Sequence, residues 1–415
     1  MKTSFRPLVL AISIASAFAA PLASADVVKV AVIETLSGAF APIGQNQLRS
    51  YQMVSDIAKQ QKWAGDHTFD FVGFDNKGSP QESLTQLKAA IDQGYRYIAQ
   101  GNSSAVAMAL IDAVNKHNER NPGKEVVFLN HSAIDPDLTN SKCSFWHFRF
   151  DANSDMKMEA LSSFMAKDQK IKNVYIIGQN YSHGHQVARA AKEMLKRKRP
   201  DIQIVGEDLH PIAQVKDFSP YVAKIKAAGA DTVVTGNWGA DLALLIKAAK
   251  DADLKANFYT YYGSTSGVPT AMGAAGADRV KYVGYWNANN EKYVGQDLID
   301  AFKKKYNDDF YVVATYSVVS MMSRAIKESK STDPVKVAFA MEGLTAKSLN
   351  GDIEMRKNDH QLQQPLYIAT WVKAGGKDVK NDQENTGYGW KTDMKVDPFV
   401  ASQPTSCDMK RPTKS

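Results

Sequence analysis

The chain of 415 residues is 44% hydrophobic and carries a formal charge of +7, ordinary values for a globular protein. Its length exceeds what one hydrophobic core usually organises, about 250–300 residues, so two lobes are expected. The charge is spread along the chain, and its one dense run, Lys196–Pro200, closes an amphipathic helix and has no interleaved aromatics, which argues against a nucleic-acid surface.

Residues 1–25 read as an export signal. Lys2 and Arg6 form a basic start, Leu8–Ala20 is apolar, and Ala23-Ser24-Ala25 is a cleavage site ahead of Asp26. The apolar stretch is shorter than the roughly 20 residues that span a bilayer, which argues against a membrane anchor. No cysteine stands at the cleavage point, which argues against a lipid anchor. The mature chain is expected to begin at Asp26 and to be released into an extracytoplasmic space, the periplasm. In such a compartment the two cysteines, Cys143 and Cys407, are expected to form one disulfide tying the C-terminal tail to mid-chain. A C-x-x-C motif is absent, which argues against redox catalysis.

Strand and helix signals then alternate. Val28–Glu34 reads as a buried strand, followed by Leu36-Ser37-Gly38 and a helix near Gln45–Gln61; Phe69–Asp75 is the next strand. Ser79, Pro80 and Glu82 are a helix cap, a first-turn proline and a capping-box acid. Leu84, Leu87 and Ile91 form that helix's buried stripe, and Gly94 stops it. Tyr97–Gln100 is a short strand, Asn102-Ser103-Ser104 opens a helix, and Glu125–Asn130 is again a strand. A second series follows Phe150. Its strands are Val174–Gly178, Ile202–Gly206, Thr232–Thr235 and, last, Phe258–Tyr262, and its helices are His185–Lys196, one from Asp217–Pro220 to near Gly229, and Gly239–Ala252. Two such series predict two α/β lobes with parallel sheets covered on both faces. Residues 283–345 return to a helix-rich pattern, with Gln296–Tyr306, Ala314–Glu328 and Pro334–Met341. From Lys373 the chain is polar and rich in Gly, Lys and Asn, and is expected to wrap the surface.

Open α/β sheets bind ligands beyond the carboxyl ends of their strands. Five loops there are rich in small hydroxyl and aromatic residues: Thr35–Gly38, Gly101–Ser104, Asn130–Ile134, Gln179–Gly184 and Gly236–Asp241. Asn102-Ser103-Ser104 at a helix N-terminus suits a carboxylate, since such an end presents unpaired N–H groups; a plain serine cap is the alternative. Tyr181 and His183 are placed to close over a small molecule, whereas a metal at His183 and His185 lacks a third ligand. Trp238 is core or lid, and Tyr261-Tyr262 adds aromatic surface. Walker A, G-x-G-x-x-G and H-E-x-x-H patterns are absent, and Gly263-Ser264-Thr265-Ser266-Gly267 puts Thr where a nucleophile elbow needs Ser.

Together these residues resemble the type I periplasmic binding proteins of ABC transporters, in the branched-chain amino acid receptor family, up to about Gly376. The resemblance rests on the order of Leu36-Ser37-Gly38 with Gly44-Gln45, Asp135–Thr139, Phe148-Arg149, Tyr181 with Gly184, and Asp217–Tyr221 leading into Lys224–Ala228. It implies two Rossmann-like lobes, 26–148 with 285–354 and 149–284 with 355–415, joined by a three-crossover hinge near Arg149, Tyr285 and Asp352–Arg356. It implies a monomer that binds a small solute between the lobes, without a cofactor or catalysis, and delivers it to an ABC permease with a cytoplasmic ATPase. Carried over residue by residue, Asn102, Ser103 and Ser104 hold a carboxylate, Ser132, Ala133 and Ile134 meet an α-ammonium, and an aromatic in Tyr181–His183 covers the ligand. Trp238 and Tyr262 add aromatic surface. The chain departs from the family pattern twice: Ile134 stands where a threonine is expected, and Tyr262-Gly263-Ser264 lacks the usual acid. An ammonium buried without acceptors costs several kcal/mol, so an α-amino acid fits less well here than in a typical family member, and the surplus of aromatics suits an aromatic or otherwise apolar carboxylate. A ligand-presenting sensor and a secreted α/β hydrolase are the other readings kept open.

Overall fold

The computed structural model describes residues 25–290 and 295–413. The export signal, except Ala25, lies outside the described residues. The first series runs β1 (Val27–Glu34), α1 (Ala41–Gln60), β2 (Thr68–Asp75), α2 (Pro80–Asp92), β3 (Tyr97–Gln100), α3 (Ser104–Arg120), β4 (Val127–Asn130) and β5 (His147–Arg149). The second runs α4 (Ser154–Met165), β6 (Asn173–Gln179), α5 (Ser182–Lys198), β7 (Gln203–His210), α6 (Ser219–Ala227), β8 (Thr232–Thr235), α7 (Gly239–Asp251), β9 (Asn257–Thr260), α8 (Val268–Met272) and β10 (Val280–Gly284). Then come α9 (Gln296–Tyr306), α10 (Val313–Ser329), α11 (Pro334–Met341), β11 (Thr345–Ser348), β12 (Gly351–Met355), β13 (Leu362–Gln363), β14 (Leu366–Lys373), β15 (Tyr388–Val396) and α12 (Pro398–Ala401).

Local chemistry accounts for the elements. At α2 the Ser79 hydroxyl accepts the Glu82 N–H at 3.4 Å, Pro80 opens the helix, and Gly94 leaves it at φ +84°. On α5 the stripe Val187, Ala190, Ala191, Met194 and Leu195 is buried, while Lys196, Arg197 and Lys198 occupy the negative end of the helix dipole.

The strands form two main sheets. The first has the order β2-β1-β3-β4-β5, all parallel. The second has the order β15-β14-β10-β9-β8-β6-β7, with β6 to β10 parallel and β14 and β15 antiparallel. Each parallel part starts with one strand flanked by its next two in chain order, β1 between β2 and β3, β6 between β7 and β8. Both sheets therefore change winding direction at equivalent places, where strand-end crevices form. The likeness extends to packing: a Cβ on Gly44 of α1 would run into the Thr35 carbonyl, and one on Gly184 of α5 would run into the Gln179 carbonyl. Only glycine lets each helix start so close to its strand.

Two expectations need correction. Phe258–Tyr262 is not the last strand of the second series: β10 adds another, parallel to β9, ahead of the helix-rich stretch. The polar region after Lys373 does not merely wrap the surface. Within it, β15 pairs with the whole of β14, and Trp390 is buried against Tyr282 and Trp371. An edge strand has one partner and a wetter face, so its residues read as loop.

The chain leaves the first sheet after β5, leaves the second after β10 for α9 to α11 and a small antiparallel sheet of order β11-β12-β13, and returns to the second between β13 and β14. These passages are hydrogen-bonded to one another. The Gln361 side chain donates to the Asp151 carbonyl at 2.8 Å, and Gln364 to that of Phe150 at 2.7 Å. Asn350 donates to the Tyr285 carbonyl and to Gln364 Oε1, both at 3.0 Å. Fully buried Arg149 binds Gln361 Oε1 at 2.6 Å and also the Asp135 carbonyl and Thr139. The disulfide Cys143–Cys407 is present and draws the tail onto the segment before β5.

Candidate functional site

The facing carboxyl ends of the two sheets enclose one cleft. All ten residues singled out from the sequence line it: Asn102, Ser103, Ser104, Ser132, Ala133 and Ile134 on one side, and Tyr181, His183, Trp238 and Tyr262 on the other. Its cavity volume is about 80 Å³.

The first wall is built on Gly101. A Cβ there would meet the His131 ring at 2.7 Å, so only glycine lets the loop lie this low. Glu34, ending β1, accepts the N–H groups of Gly101 and Asn102. Gln100 Nε2 donates to the Asn102 carbonyl at 2.7 Å, and Gln47 Nε2 to Asn102 Oδ1 at 3.0 Å, leaving Asn102 Nδ2 without a partner among the described residues. Ser103 has φ +90°, a region non-glycine residues avoid, and α3 starts without a side-chain cap. Such local strain costs on the order of 1–3 kcal/mol and persists where surrounding contacts enforce it. Here it leaves the first N–H groups of α3 uncapped beside the cleft. Ser104 is committed differently: its hydroxyl accepts the Asp135 N–H at 3.2 Å. In the next loop Asn130 Oδ1 accepts from Ser132 and Ala133 at 3.2 and 2.8 Å, and the Ile134 carbonyl accepts from Ser154 N at 2.9 Å.

The second wall repeats the device. Tyr181 and Trp238 are the N-cap residues of α5 and α7, and neither helix has a side-chain cap. Trp238 Nε1–H donates to the Tyr181 hydroxyl at 2.9 Å, and the indole packs on Phe40 of the first wall with ring centroids 4.2 Å apart. The Trp238 side chain is thus packed, nine-tenths buried between Phe40 and Ile43. Tyr262 reaches across as well, its hydroxyl 3.5 Å from the Ser132 carbonyl. His183 Nε2 faces the Gly236 carbonyl at 3.1 Å and therefore carries the proton, leaving Nδ1 an unpartnered acceptor among the described residues. Burial lowers its pKa to about 4, so the ring is neutral near pH 7. His185 bonds Asn180 at 3.0 Å instead and does not line the cleft.

Among the lining residues that escaped the sequence reading, two are charged. Asp151 follows the first passage between sheets, and Lys157 lies one turn into α4; Nζ is 2.9 Å from Asp151 Oδ2, and both side chains are about 2% exposed. Their signals were Asp151 standing two residues after Arg149 and a lysine set in the apolar run Met156–Met158. Beneath the Gly101 loop lies a second missed group. Glu34 Oε1 is 3.3 Å from His131 Nε2, whose Nδ1 takes the Tyr51 hydroxyl at 3.0 Å. Burial pushes Glu34 up to about 8, against the backbone N–H bonds that lower it, and pushes His131 down to about 3. Both are therefore neutral near pH 7, with the proton on Glu34.

A folded-state pKa above the ordinary 4.5 means that Glu34 favours folding most below that pH, and the contribution is lost as pH rises through about 8. Glu34→Gln keeps an acceptor for the loop and removes the titration. Between about pH 5 and pH 8 the wild type should lose more thermal stability than this variant. Parallel melting-temperature profiles across that range would contradict the assignment.

The periplasmic binding protein family matches residues 27–377. The chain belongs to that family. This binding protein is 35% identical over 410 residues to Leu/Ile/Val-binding protein homolog 4 of Brucella abortus (strain 2308), covering 94% of each chain. It is similar in structure to the closed conformation of the leucine-, isoleucine-, valine-, threonine- and alanine-binding protein of Brucella ovis, with a TM-score of 0.81 and 34% identity, covering 94% of this chain and 100% of that one. A solute-binding protein of an ABC transporter from R. palustris, solved in complex with benzoate, shares the fold with a TM-score of 0.77 at 19% identity, covering 92% and 99%. The binding protein thus has the two-lobed architecture of a non-catalytic transport component.

Proposed function

We propose that this protein captures a small, carboxylate-bearing solute with an apolar body between its lobes and delivers it to an ABC permease driven by a cytoplasmic ATPase. On this reading residues 1–25 direct export to the periplasm, and the mature chain acts as a monomer. The first lobe takes 26–148 and 285–354 together with β13, which pairs with β12, and the second takes 149–284 and the chain from β14 onward. One observation carries the reading. Three helices, α3, α5 and α7, begin at the cleft without side-chain caps, and their N-cap residues Ser103, Tyr181 and Trp238 all line it. Uncapped helix starts present N–H donors and partial positive charge, which suits an anion. The relatives named for branched-chain amino acids support a carboxylate, and the apolar body follows from Ile43, Ile134 and the aromatic wall.

A thermal-shift screen of aliphatic and aromatic amino acids, aromatic acids, dicarboxylates and neutral sugars tests this. A solute that binds only the folded protein stabilises it by about 2.7 kcal/mol at a hundredfold excess over Kd. At least one monocarboxylate should raise the melting temperature by several degrees. Stabilisation by neutral sugars and by no acid would contradict the proposal.

A further inference from the structure

The loop Tyr262-Gly263-Ser264 offers the cleft no acid, yet the cleft contains one. Asp151 enters it from the first passage between the sheets. Its backbone is fixed by Gln361, whose side chain donates to the Asp151 carbonyl at 2.8 Å. One carboxylate oxygen, Oδ2, is held by Lys157 at 2.9 Å, while the other, Oδ1, is buried and has no partner among the described residues. Lys157 is itself held: its Nζ lies 4.9 Å from the centre of the Tyr262 ring and 5.7 Å from that of Tyr285. A cation so enclosed keeps the carboxylate in one orientation and leaves one oxygen for another donor.

That oxygen has company. Tyr262, against which Lys157 packs, has its ring 6.0 Å from the His183 ring, whose Nδ1 is the unpartnered acceptor described above. On the opposite wall, Asn102 Nδ2 is an unpartnered donor beside the uncapped start of α3. A buried polar atom left unsatisfied is costly, and where it lines a cleft a ligand or an ordered water completes its bonding. Here the acceptors and the donor line opposite sides of one small cleft. A plain carboxylic acid satisfies only the donor side. It would leave Asp151 Oδ1 and His183 Nδ1 without hydrogen-bond donors.

We propose that Asp151, positioned by Lys157, accepts the ammonium group of the bound solute and so selects a zwitterionic amino acid over the corresponding acid without nitrogen. The proposal rests on the reading that the cleft takes a small apolar carboxylate. Asp151 thereby supplies the acid missing after β9, from a different element of the fold. A site whose polar groups are built to bond an N–H group discriminates strongly against an analogue lacking it.

The test is calorimetric titration with two pairs, L-leucine with 4-methylpentanoate and L-phenylalanine with 3-phenylpropanoate. For at least one pair the wild type should bind the amino acid more tightly than its deaminated partner by tenfold or more. Asp151→Asn should weaken the amino acid by about tenfold to hundredfold and leave the deaminated partner within about threefold. Should Lys157, stripped of its counter-charge, prevent that variant from folding, Asp151→Asn combined with Lys157→Met gives a neutral pair of similar shape for the same titration. Equal or tighter wild-type binding of the deaminated partners would overturn the Asp151 assignment and leave the carboxylate reading standing. An undiminished preference in a folded variant would do the same. Wild-type binding of none of the four would overturn both.

Discussion

Replacing Trp238 with alanine should weaken solute binding by about a hundredfold while leaving the ligand-free protein folded. Trp238 joins the two lobes: it packs on Phe40 with ring centroids 4.2 Å apart, packs with Ile43, and donates its indole N–H to Tyr181 at 2.9 Å. Phe40 and Ile43 belong to the start of α1, on the other side of the cleft. These contacts exist only when the lobes meet, so they contribute to the liganded, closed state and not to an open one. Truncating a buried tryptophan at such an interface typically costs about 2–4 kcal/mol, and about 2.7 kcal/mol is a hundredfold in affinity. Folding should survive, because Phe40, Ile43 and Trp238 form a small cluster apart from the two large cores. Calorimetric titration with a solute from the thermal-shift screen, together with the melting temperature of the free protein, checks both halves. Affinity within threefold of wild type would remove Trp238 from the closure.

Cys407→Ser should destabilise the protein by about 2–5 kcal/mol. The two cysteines are 264 residues apart, so the bond closes a very long loop in the unfolded chain, where the entropic gain of a crosslink is largest. In the folded chain the tail leaves β15 of the second sheet and is bonded through Cys407 to the segment preceding β5 of the first. Weaker ties accompany the disulfide. Arg356 bonds the Ser402 hydroxyl at 3.0 Å and the Gln403 carbonyl at 2.8 Å, and Thr405 donates to the Thr139 carbonyl at 3.0 Å. These bonds persist in the variant, which is expected to fold but to unfold at lower denaturant. The midpoint of chemical denaturation, measured for the variant and for wild type with and without reductant, reads the effect. A midpoint unchanged in the variant and under reduction would show that the crosslink contributes nothing.

The alternation of strands and helices was legible because buried parallel strands are nearly continuous apolar runs and amphipathic helices repeat at their own period. Glycine and serine punctuation placed the loops, and the resemblance selected the ones that converge on the cleft. What escaped has a common physical cause. Asp151 and Lys157 are polar residues whose burial depends on the passages between sheets, and nothing local marks a buried lysine among methionines. Glu34 reads as the end of a strand, since its role is to hold a loop 67 residues away. The strand β15 lies at an edge and looks like loop. Local periodicity reports which faces are buried, and cannot report which distant polar groups meet there.

The most direct measurement is a crystal structure with a bound monocarboxylate identified by the thermal-shift screen. The account predicts the carboxylate at Asn102 and Ser103 against the start of α3, with Tyr181 and Trp238 closed over the solute from the second lobe. A solute bound to one lobe alone, or outside the cleft, would contradict it.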